Sequence, residues 1–454
     1  MTIRSKPPID LFRGWPNPSL HPTTALQSAT TSVLSDPSRS APALGYGPDA
    51  GDPRLRSEIA KWLTNFYQPA SPIDADRICI TGGASQNLAC LLQVFSDPAY
   101  TRRVWLVEPT YYLASGIFDD AGFAGKLKAV PEDSEGVDIE FLEQQLEKCE
   151  SEEGKNSKTP RPWRRIYKHI IYTVPTFSNP SGLVMSVRRR EQLVRLARKF
   201  DALIIADDVY DFLQWRSKRR TGTDCPKKAI APRLVDIDRV LDGGPKDEFG
   251  NVVSNGTFSK LIGPGCRVGW AEGTPKFAYG VSQTGSSQSG GAPSQLTSTF
   301  VSELLSTNFL QEYIDNIIQP VYAKRYHIMS AAISDGLPEL GVTVTEDQEF
   351  AGGYYIWLRL PSGLKASHLA ARAQREENLL IGEGTLFGVE GDSSHRESRH
   401  DLEQYVRLCF AYEEEGDLKQ GVERLVSLIR REVGRDTPGI QRIGARSGLS
   451  EDGL

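Results

Sequence analysis

Between residues 77 and 271, short apolar runs alternate with segments of helical periodicity, and this alternation restricts the possible folds of the chain most strongly. Near-continuous apolar strands separated by helices are typical of a mainly parallel sheet covered by helices on both faces. The sequence therefore predicts an α/β fold, in which functional residues lie just after the carboxyl ends of the strands. The predicted strands are Ile78–Thr81, Val104–Glu108, Lys126–Val130, His169–Val174, Leu203–Asp207, Val252–Phe258 and Arg267–Ala271. The predicted helices are Ser85–Phe95, Tyr112–Ala121, Ile139–Lys148 and Val187–Phe200.

The segments on either side of this region differ in character. The first 45 residues are rich in Pro and Ser, which excludes a continuous helix or strand and indicates an arm lying over another surface. A long helical pattern runs from about Gln295 to Ser334, with a bend expected near Pro320. Residues 150–165 and 390–402 have the composition of surface loops. In chain order, the expected parts are an N-terminal arm (1–45), a large domain (46–320), a smaller α+β domain (321–434) and a disordered tail (435–454).

Composition and charge narrow the class of protein. The net charge of −5 over 454 residues gives no basic footprint for nucleic acid. No apolar run approaches the ~18 residues needed to cross a membrane, and the first ten residues lack the apolar core of a secretory signal. The six cysteines have no CxxC spacing and the six histidines no HExxH spacing, so we expect neither a metal site nor a disulfide framework. These features favour a cytoplasmic protein that binds neither nucleic acid nor membranes.

One lysine stands in an unusual setting at the end of a predicted strand. Lys260 follows Thr257 and Ser259, and Arg267 comes after a Gly/Pro loop. A lysine amine forms an imine with an aldehyde, while hydroxyl groups and an arginine bind a phosphate dianion. This combination suits a covalently bound cofactor that carries a phosphate, although a surface lysine after a strand is an equally good interpretation of the motif alone.

Four other strand ends carry polar or aromatic groups. The segment Gly82–Gln86 opens a helix and offers free backbone N–H groups to an anion. Tyr111 could stack on a planar ring, and the amide of Asn179 could donate to a phenolate oxygen, which Tyr210 could share. Asp207 ends a buried apolar strand, where a carboxylate is costly unless it meets a cation such as a protonated ring nitrogen. Each feature alone is explained by a helix cap, a core aromatic or a turn, but together they favour a cofactor site.

Through these residues at the strand ends, the chain resembles the aminotransferases of class I and II, which depend on pyridoxal 5′-phosphate (PLP) and have fold type I. The resemblance is strongest to the branch of 2-aminoadipate and aromatic aminotransferases and of the aminotransferase-like domains of PLP-binding regulators. It extends from about Asp10 to Arg430. The motifs that carry it are Tyr46–Arg56, Asn179–Gly182, Gly256–Lys260, Gly352–Leu358 and Arg407–Phe410.

The resemblance implies a role for each residue around the cofactor ring. Lys260 would hold PLP as a Schiff base and then act as the base that moves the Cα proton. Asp207 would pair with the ring nitrogen, Asn179 and Tyr210 would bond the 3-hydroxyl, and Tyr111 would stack on the ring. By this resemblance Lys260, Asp207 and Tyr210 are the catalytic residues of a transaminase that passes through a quinonoid intermediate.

The remaining implied roles concern the phosphate, the substrate and the subunits. Arg407 would bind the substrate α-carboxylate together with Asn179, and Arg13 could recognise a distal carboxylate. The family is dimeric with shared sites, so we expect a homodimer in which Tyr46 of the partner subunit reaches the phosphate. The other residues implied to bind the phosphate are Ala84, Ser85, Gln86, Thr257, Ser259 and Arg267.

The implied reaction is transfer of an amino group from an L-amino acid (2-aminoadipate, aromatic or similar) to a 2-oxo acid. The same residues also serve elimination, as in carbon–sulfur lyases or cyclopropane-carboxylate synthases, because the choice of reaction depends on which Cα bond lies perpendicular to the ring. A second alternative is a non-catalytic PLP-sensing module. A regulator of that kind is expected to carry a basic winged-helix domain upstream, whereas about 45 Pro/Ser-rich residues precede Tyr46.

Overall fold

An eight-stranded sheet occupies the centre of the larger part of the chain. The computed structural model describes residues 6–152, 154–155, 157–218, 225–344, 348–392 and 401–433. The predicted disordered tail (435–454) lies outside these residues, as does part of the predicted loop at 390–402.

The helices and strands have the following bounds. The α-helices are α1 (Thr23–Leu34), α2 (Pro37–Leu44), α3 (Pro53–Tyr67), α4 (Ala84–Phe95), α5 (Tyr112–Phe118), α6 (Ile139–Cys149), α7 (Val187–Lys199), α8 (Leu234–Asp238), α9 (Pro275–Ser282), α10 (Gly285–Gly290), α11 (Gln295–Ser306), α12 (Phe309–Tyr313), α13 (Gln319–Gly336), α14 (Ala366–Glu377) and α15 (Glu415–Val433). The strands are β1 (Ile9–Asp10), β2 (Ile78–Thr81), β3 (Arg103–Glu108), β4 (Leu127–Asp133), β5 (Gly136–Val137), β6 (His169–Thr173), β7 (Ala202–Asp207), β8 (Gln214–Arg216), β9 (Val252–Thr257), β10 (Gly269–Glu272), β11 (Thr343–Val344), β12 (Phe350–Gly352), β13 (Tyr355–Arg359), β14 (Leu379–Leu380), β15 (Gly382–Glu383) and β16 (Tyr405–Cys409).

The strand order of the central sheet is β2-β10-β9-β7-β6-β3-β4-β5. The pairs β9/β7, β7/β6, β6/β3 and β3/β4 are parallel, whereas β10 is antiparallel to both of its neighbours and β5 is antiparallel to β4. Every residue of β2, β6, β7, β9 and β10 is buried, as expected for a sheet covered on both faces. The predicted mainly parallel α/β sheet is therefore present.

Each of the seven predicted strands and four predicted helices is present, with bounds that differ by a few residues. The last strand begins at Gly269 rather than at the predicted Arg267, because Arg267 has a left-handed backbone (φ 50°) after a short 3-10 turn. Helix α5 ends at Phe118 rather than at the predicted Ala121. A π-helical turn follows it, with Gly122 at a φ of 91°.

The helical pattern predicted between Gln295 and Ser334 is not one element, because it is broken after α11, where Asn308 has a left-handed backbone (φ 59°). From α12 the helix continues into α13 through a π-helical turn at Ile314–Ile318, close to Pro320, where a bend was predicted. The N-terminal arm is not continuous helix, as predicted, but it contains α1 and α2. Pro37 is tolerated at the start of α2 because the first N–H of a helix has no partner in the helix.

A second sheet, with strand order β11-β13-β16-β15, lies in the C-terminal part of the chain. Its strands are antiparallel, and the register places Arg407 of β16 opposite Trp357 of β13. Strand β1 of the arm pairs with β14, so the N-terminal arm is attached to this part of the molecule. The domain boundary at residue 320 stays a prediction, and that residue lies within α13.

None of the helices in the described part of the chain is long and apolar enough to cross a membrane.

Candidate active site

A cavity of about 750 Å³ opens at the edge of the central sheet where the parallel strands end. Strand β7 ends at Asp207 and β9 at Thr257, and the antiparallel β10 starts at the same edge, which brings Arg267 there. Most of the residues predicted for the site line this cavity: Arg13, Ala84, Ser85, Tyr111, Asn179, Asp207, Tyr210, Thr257, Ser259, Lys260, Arg267 and Arg407. Two predicted residues, Tyr46 and Gln86, do not.

Lys260 lies three residues beyond β9, and its amine donates a 3.0 Å hydrogen bond to the carbonyl oxygen of Gly14 in the arm. The amine also lies 5.7 Å from the ring centroid of Tyr210 and 5.1 Å from that of Tyr354. Burial lowers the pKa of the Lys260 amine to about 8, with a further lowering by Arg407. The unprotonated, nucleophilic fraction of this amine near neutral pH is therefore larger than that of an ordinary lysine.

Asp207 is a buried carboxylate held by neutral donors. The hydroxyl of Tyr172 donates to it at 2.7 Å and the side-chain amide of Asn255 at 3.0 Å. Burial raises the pKa of Asp207 to about 6, although these hydrogen bonds and nearby Lys260 act in the opposite direction. Among the described residues it forms no ion pair, so a cationic group placed beside it would be strongly stabilised.

The loop before α4 and the residues around Arg267 form an anion cradle. Gly83 precedes α4 with a φ of 98°, and no side chain caps the N–H groups that open this helix. A Cβ atom on Gly83 would lie 2.8 Å from a terminal nitrogen of Arg267, so glycine is needed here for the guanidinium to pack against the loop, where it donates to the carbonyl oxygen of Gly82. Thr257 and Ser259 add two hydroxyl groups, which are 2.9 Å apart.

The side chain of Gln86 is engaged within the loop and helix α4, and its predicted role at the phosphate stays a prediction. Its side-chain oxygen accepts from the backbone N–H of Gly82, and its amide nitrogen donates to the sulfur of Cys90. These contacts turn the side chain back along the helix, so its contribution to an anion site is limited to its backbone N–H.

Arg407 and Asn179 are joined directly. Arg407 is 2% exposed, and one terminal nitrogen donates to the side-chain oxygen of Asn179 at 2.8 Å. The other terminal nitrogen donates to the carbonyl oxygen of Phe12 at 2.6 Å. The guanidinium lies 4.0 Å from the ring centroid of Tyr355 and 4.6 Å from that of Phe387, and such stacking fixes its plane.

Tyr210 and Tyr111 are the aromatic residues predicted for the cofactor ring. The hydroxyl of Tyr210 donates to that of Tyr355 at 3.4 Å, so the two groups share a hydrogen bond inside the cavity. Burial raises the pKa of Tyr111 to about 12 and also raises the pKa of Tyr210, so both are neutral donors at physiological pH. The stacking of Tyr111 on a ring stays a prediction.

Arg13 lines the cavity, but its charge is already partly compensated. It lies 3.3 Å from the carboxylate of Asp10, donates to the hydroxyl of Tyr412 at 3.0 Å and is stacked between the rings of Trp15 and Tyr412. Tyr46 lies outside the cavity with 92% of its surface exposed.

Four residues of the site were not found by sequence reasoning: Tyr172, Asn255, Gly14 and Tyr355. Asn255 left a signal, because a polar residue in the middle of the buried strand β9 is costly without a partner. Tyr172 and Tyr355 left no such signal in the sequence, because tyrosines inside strands are common core residues. The contact between Gly14 and Lys260 depends on the path of the arm, which the sequence pattern does not specify.

The topology of the sheet and the lysine at its edge define the class of protein, a PLP-dependent enzyme of fold type I. The family model of aminotransferase class I and II matches residues 18–425, so the chain belongs to this family. It is therefore a PLP-dependent aminotransferase.

Individual relatives cover nearly the whole chain. An uncharacterized protein of Saccharomyces cerevisiae is 34% identical over 437 residues, which are 91% of this chain and 95% of the relative. Aromatic-amino-acid aminotransferase 1 of Thermococcus litoralis is 30% identical over 433 residues, covering 94% of this chain and 88% of that protein. Among solved structures, the multiple substrate aminotransferase of Thermococcus profundus matches with a TM-score of 0.74 and 26% identity, over 95% of this chain and 94% of that one.

The residues of the cavity fit PLP. The guanidinium of Arg267 beside Gly83 and the uncapped start of α4 suit its phosphate. The buried carboxylate of Asp207, which forms no ion pair among the described residues, suits a protonated ring nitrogen. The amine of Lys260, with its lowered pKa, suits an aldehyde. Each chemical group of the cofactor thus has a partner of matching chemistry at this site.

Proposed function

We propose that the protein transfers an amino group from an L-amino acid with an aromatic or long apolar side chain to a 2-oxo acid. The observation that carries this proposal is the meeting of Lys260, Asp207 and Arg407 in one cavity at the end of the sheet. Lys260 supplies a nucleophilic amine and Asp207 a buried anion, which suit PLP. Arg407 supplies a buried cation, which suits the carboxylate of an amino acid.

The cofactor would be held at both ends. Asp207 would pair with its ring nitrogen, while Asn179 and Tyr210 would bond its 3-hydroxyl and Tyr111 would lie against its ring. Asn179 can do this because its oxygen is engaged by Arg407, which leaves its amide hydrogens to donate. The phosphate would be bound by the backbone N–H groups of Ala84, Ser85 and Gln86 and by the side chains of Ser85, Thr257, Ser259 and Arg267.

When bound, PLP supplies an electron sink for the pair of electrons left on Cα after deprotonation. Lys260 would anchor the cofactor and, once displaced by the substrate amine, carry the proton from Cα. A pKa of about 8 leaves it able both to accept and to release that proton near neutral pH. Arg407 would hold the α-carboxylate, so that Cα lies within reach of Lys260.

The cavity favours aromatic over 2-aminoadipate side chains. Arg13 already faces Asp10, so recognition of a distal carboxylate would have to break an ion pair. Other residues that line the cavity are apolar or aromatic, and an aromatic substrate gains free energy by covering them. These residues are Phe12, Trp15, Tyr112, Leu113 and Leu380.

We also propose that two copies of the chain form a homodimer in the cytoplasm. Support for the dimer comes from the exposed Leu44 and Tyr46, which lie two residues apart in sequence with 69% and 92% of their surface accessible. Tyr46 of the partner subunit would then complete the phosphate site. Free thiols at Cys79, Cys266 and Cys409 support a reducing compartment.

The experiment that tests this function is an assay of the PLP-loaded protein with a panel of L-amino acids and 2-oxoglutarate. The expected products are glutamate and the matching 2-oxo acid in equal amounts, with a higher kcat/KM for aromatic donors than for 2-aminoadipate. Formation of ammonia without glutamate would show elimination instead. Arg13→Gln is the matched variant, and we expect it to leave kcat/KM for the aromatic donors unchanged.

A further inference from the structure

Tyr355 occupies a position in the cavity wall to which neither the family motifs nor the roles above give a task. It is the first residue of β13, it is 6% exposed, and it lines the cavity beside Arg407. Gly14 presses on its hydroxyl so closely that a Cβ atom on Gly14 would lie 1.9 Å from that oxygen. The hydroxyl is therefore held in one place by the arm.

The hydrogen bonds of this hydroxyl are incomplete. Tyr355 accepts a hydrogen bond from Tyr210, which uses a lone pair of its oxygen and leaves its own proton to be donated. Within the described residues, no acceptor takes that proton. A buried donor without an acceptor is costly, so a ligand that supplies the acceptor is favoured.

A second donor beside it is also unpaired. The two terminal nitrogens of Arg407 are engaged by Asn179 and Phe12, but its Nε atom is buried and has no partner among the residues that the structure describes. The ring of Tyr355 stacks on this guanidinium at 4.0 Å, so the two unpaired donors belong to one rigid unit. A carboxylate bound at this guanidinium would therefore lie beside the hydroxyl of Tyr355.

We propose that the hydroxyl of Tyr355 donates a hydrogen bond to the substrate α-carboxylate held by Arg407, and so is a substrate-binding residue of this enzyme. The inference rests on the proposed function, because it takes the carboxylate at Arg407 as given. A carboxylate in this position would accept from an arginine and a phenol at once, and hydrogen bonds to a charged acceptor are stronger than those between neutral groups.

The test compares two phenylalanine variants in the PLP-loaded protein. Tyr355→Phe removes the proposed donor. Tyr322→Phe is its matched control, because Tyr322 is also buried and shares a 3.4 Å hydroxyl–hydroxyl contact with Tyr354 but does not line the cavity. The ligands are 3-phenylpropionate, which carries a carboxylate and no amine, and its neutral amide, with Kd measured by isothermal titration calorimetry.

We expect Tyr355→Phe to raise the Kd of 3-phenylpropionate about tenfold and to leave that of the amide unchanged. Tyr322→Phe should change neither. Equal affinity of the wild type and Tyr355→Phe for the carboxylate would overturn the proposal, and so would an equal loss for both ligands, which would reveal a packing role. Arg407→Gln tests the proposed function apart from the role of Tyr355. If this variant binds 3-phenylpropionate as tightly as the wild type does, the proposed function fails together with this inference.

Discussion

The hydroxyl of Tyr172 donates a 2.7 Å hydrogen bond to the buried carboxylate of Asp207. On the other side, Asn255 donates to the same carboxylate and accepts a 2.8 Å hydrogen bond from Asn87 in α4. The carboxylate is thus fixed from two strands and a helix before any cofactor binds. Prior fixation of this kind lowers the cost of ordering the site when the cofactor arrives.

Tyr172→Phe tests this arrangement. The hydrogen bond from Tyr172 lowers the pKa of Asp207 against the effect of burial, so its loss should move that pKa above the wild-type value of about 6. Because the ionised carboxylate would pair with the cofactor ring, PLP affinity should begin to fall at a higher pH in this variant than in the wild type as the solution is acidified. The measurement is PLP Kd between pH 5 and 8. Tyr167→Phe is the control, since it removes a buried hydroxyl that donates to Gly250 far from Asp207 in the chain.

Asp207→Asn should stabilise the cofactor-free protein while abolishing its function. The folded-state pKa of Asp207, about 6, lies above the ordinary value of 3.8, so the folded protein binds the proton more tightly than the unfolded chain. The stabilising effect of the protonated carboxyl is complete below pH 4 and is lost as pH rises through 6. Two pKa units correspond to about 3 kcal/mol at pH 7. Denaturant unfolding at pH 7 should show that Asp207→Asn raises the free energy of unfolding by up to that amount. A free energy equal to or below that of the wild type would show that the ionised Asp207 does not destabilise the folded protein.

Gly14→Ala should disturb the arm where it covers the site. The new Cβ would lie 1.9 Å from the hydroxyl oxygen of Tyr355, so the arm must move and the contact between Gly14 and Lys260 must lengthen. We expect a stability loss of about 1–3 kcal/mol and a higher KM. Gly116→Ala is the control, because no atom lies within 4 Å of its added Cβ and the site is helical. A Gly14→Ala protein with wild-type KM would show that the arm does not shape the cavity.

Arg407→Lys tests the carboxylate site. Lysine keeps the charge but loses the planar fork that Asn179 and Phe12 hold in place. We expect kcat/KM to fall about a hundredfold, or about 3 kcal/mol of transition-state stabilisation. The loss should be absent for a primary amine that lacks a carboxylate. Arg325→Lys changes another buried arginine, which donates to Ala411 and does not line the cavity, and should keep kcat/KM near the wild-type value.

The sequence predicted the edge of the sheet at which the site lies, because buried strands joined by helices leave few possible topologies. Asp207 and Lys260 were found because Asp207 ends one recognisable strand and Lys260 lies three residues beyond another. The partners of these residues depend on details that sequence patterns do not encode. Tyr172 meets Asp207 through the register of β6 against β7, and Gly14 meets Lys260 across 246 residues of chain.

The surroundings of two other predicted residues also depend on packing. The side chain of Gln86 bonds Gly82 and Cys90, a choice between rotamers that only packing decides. The guanidinium of Arg13 lies at ion-pair distance from Asp10, three residues before it. Their roles at the phosphate and the substrate stay predictions.

The central claim, that Lys260 carries out amino transfer with bound PLP, is tested most directly by following ¹⁵N from a labelled aromatic L-amino acid to 2-oxoglutarate. The wild-type protein should produce ¹⁵N-glutamate and the aromatic 2-oxo acid in equal amounts, and Lys260→Ala should produce neither while retaining its fold. Release of ¹⁵N-ammonia with no labelled glutamate, or equal transfer by Lys260→Ala, would contradict the account.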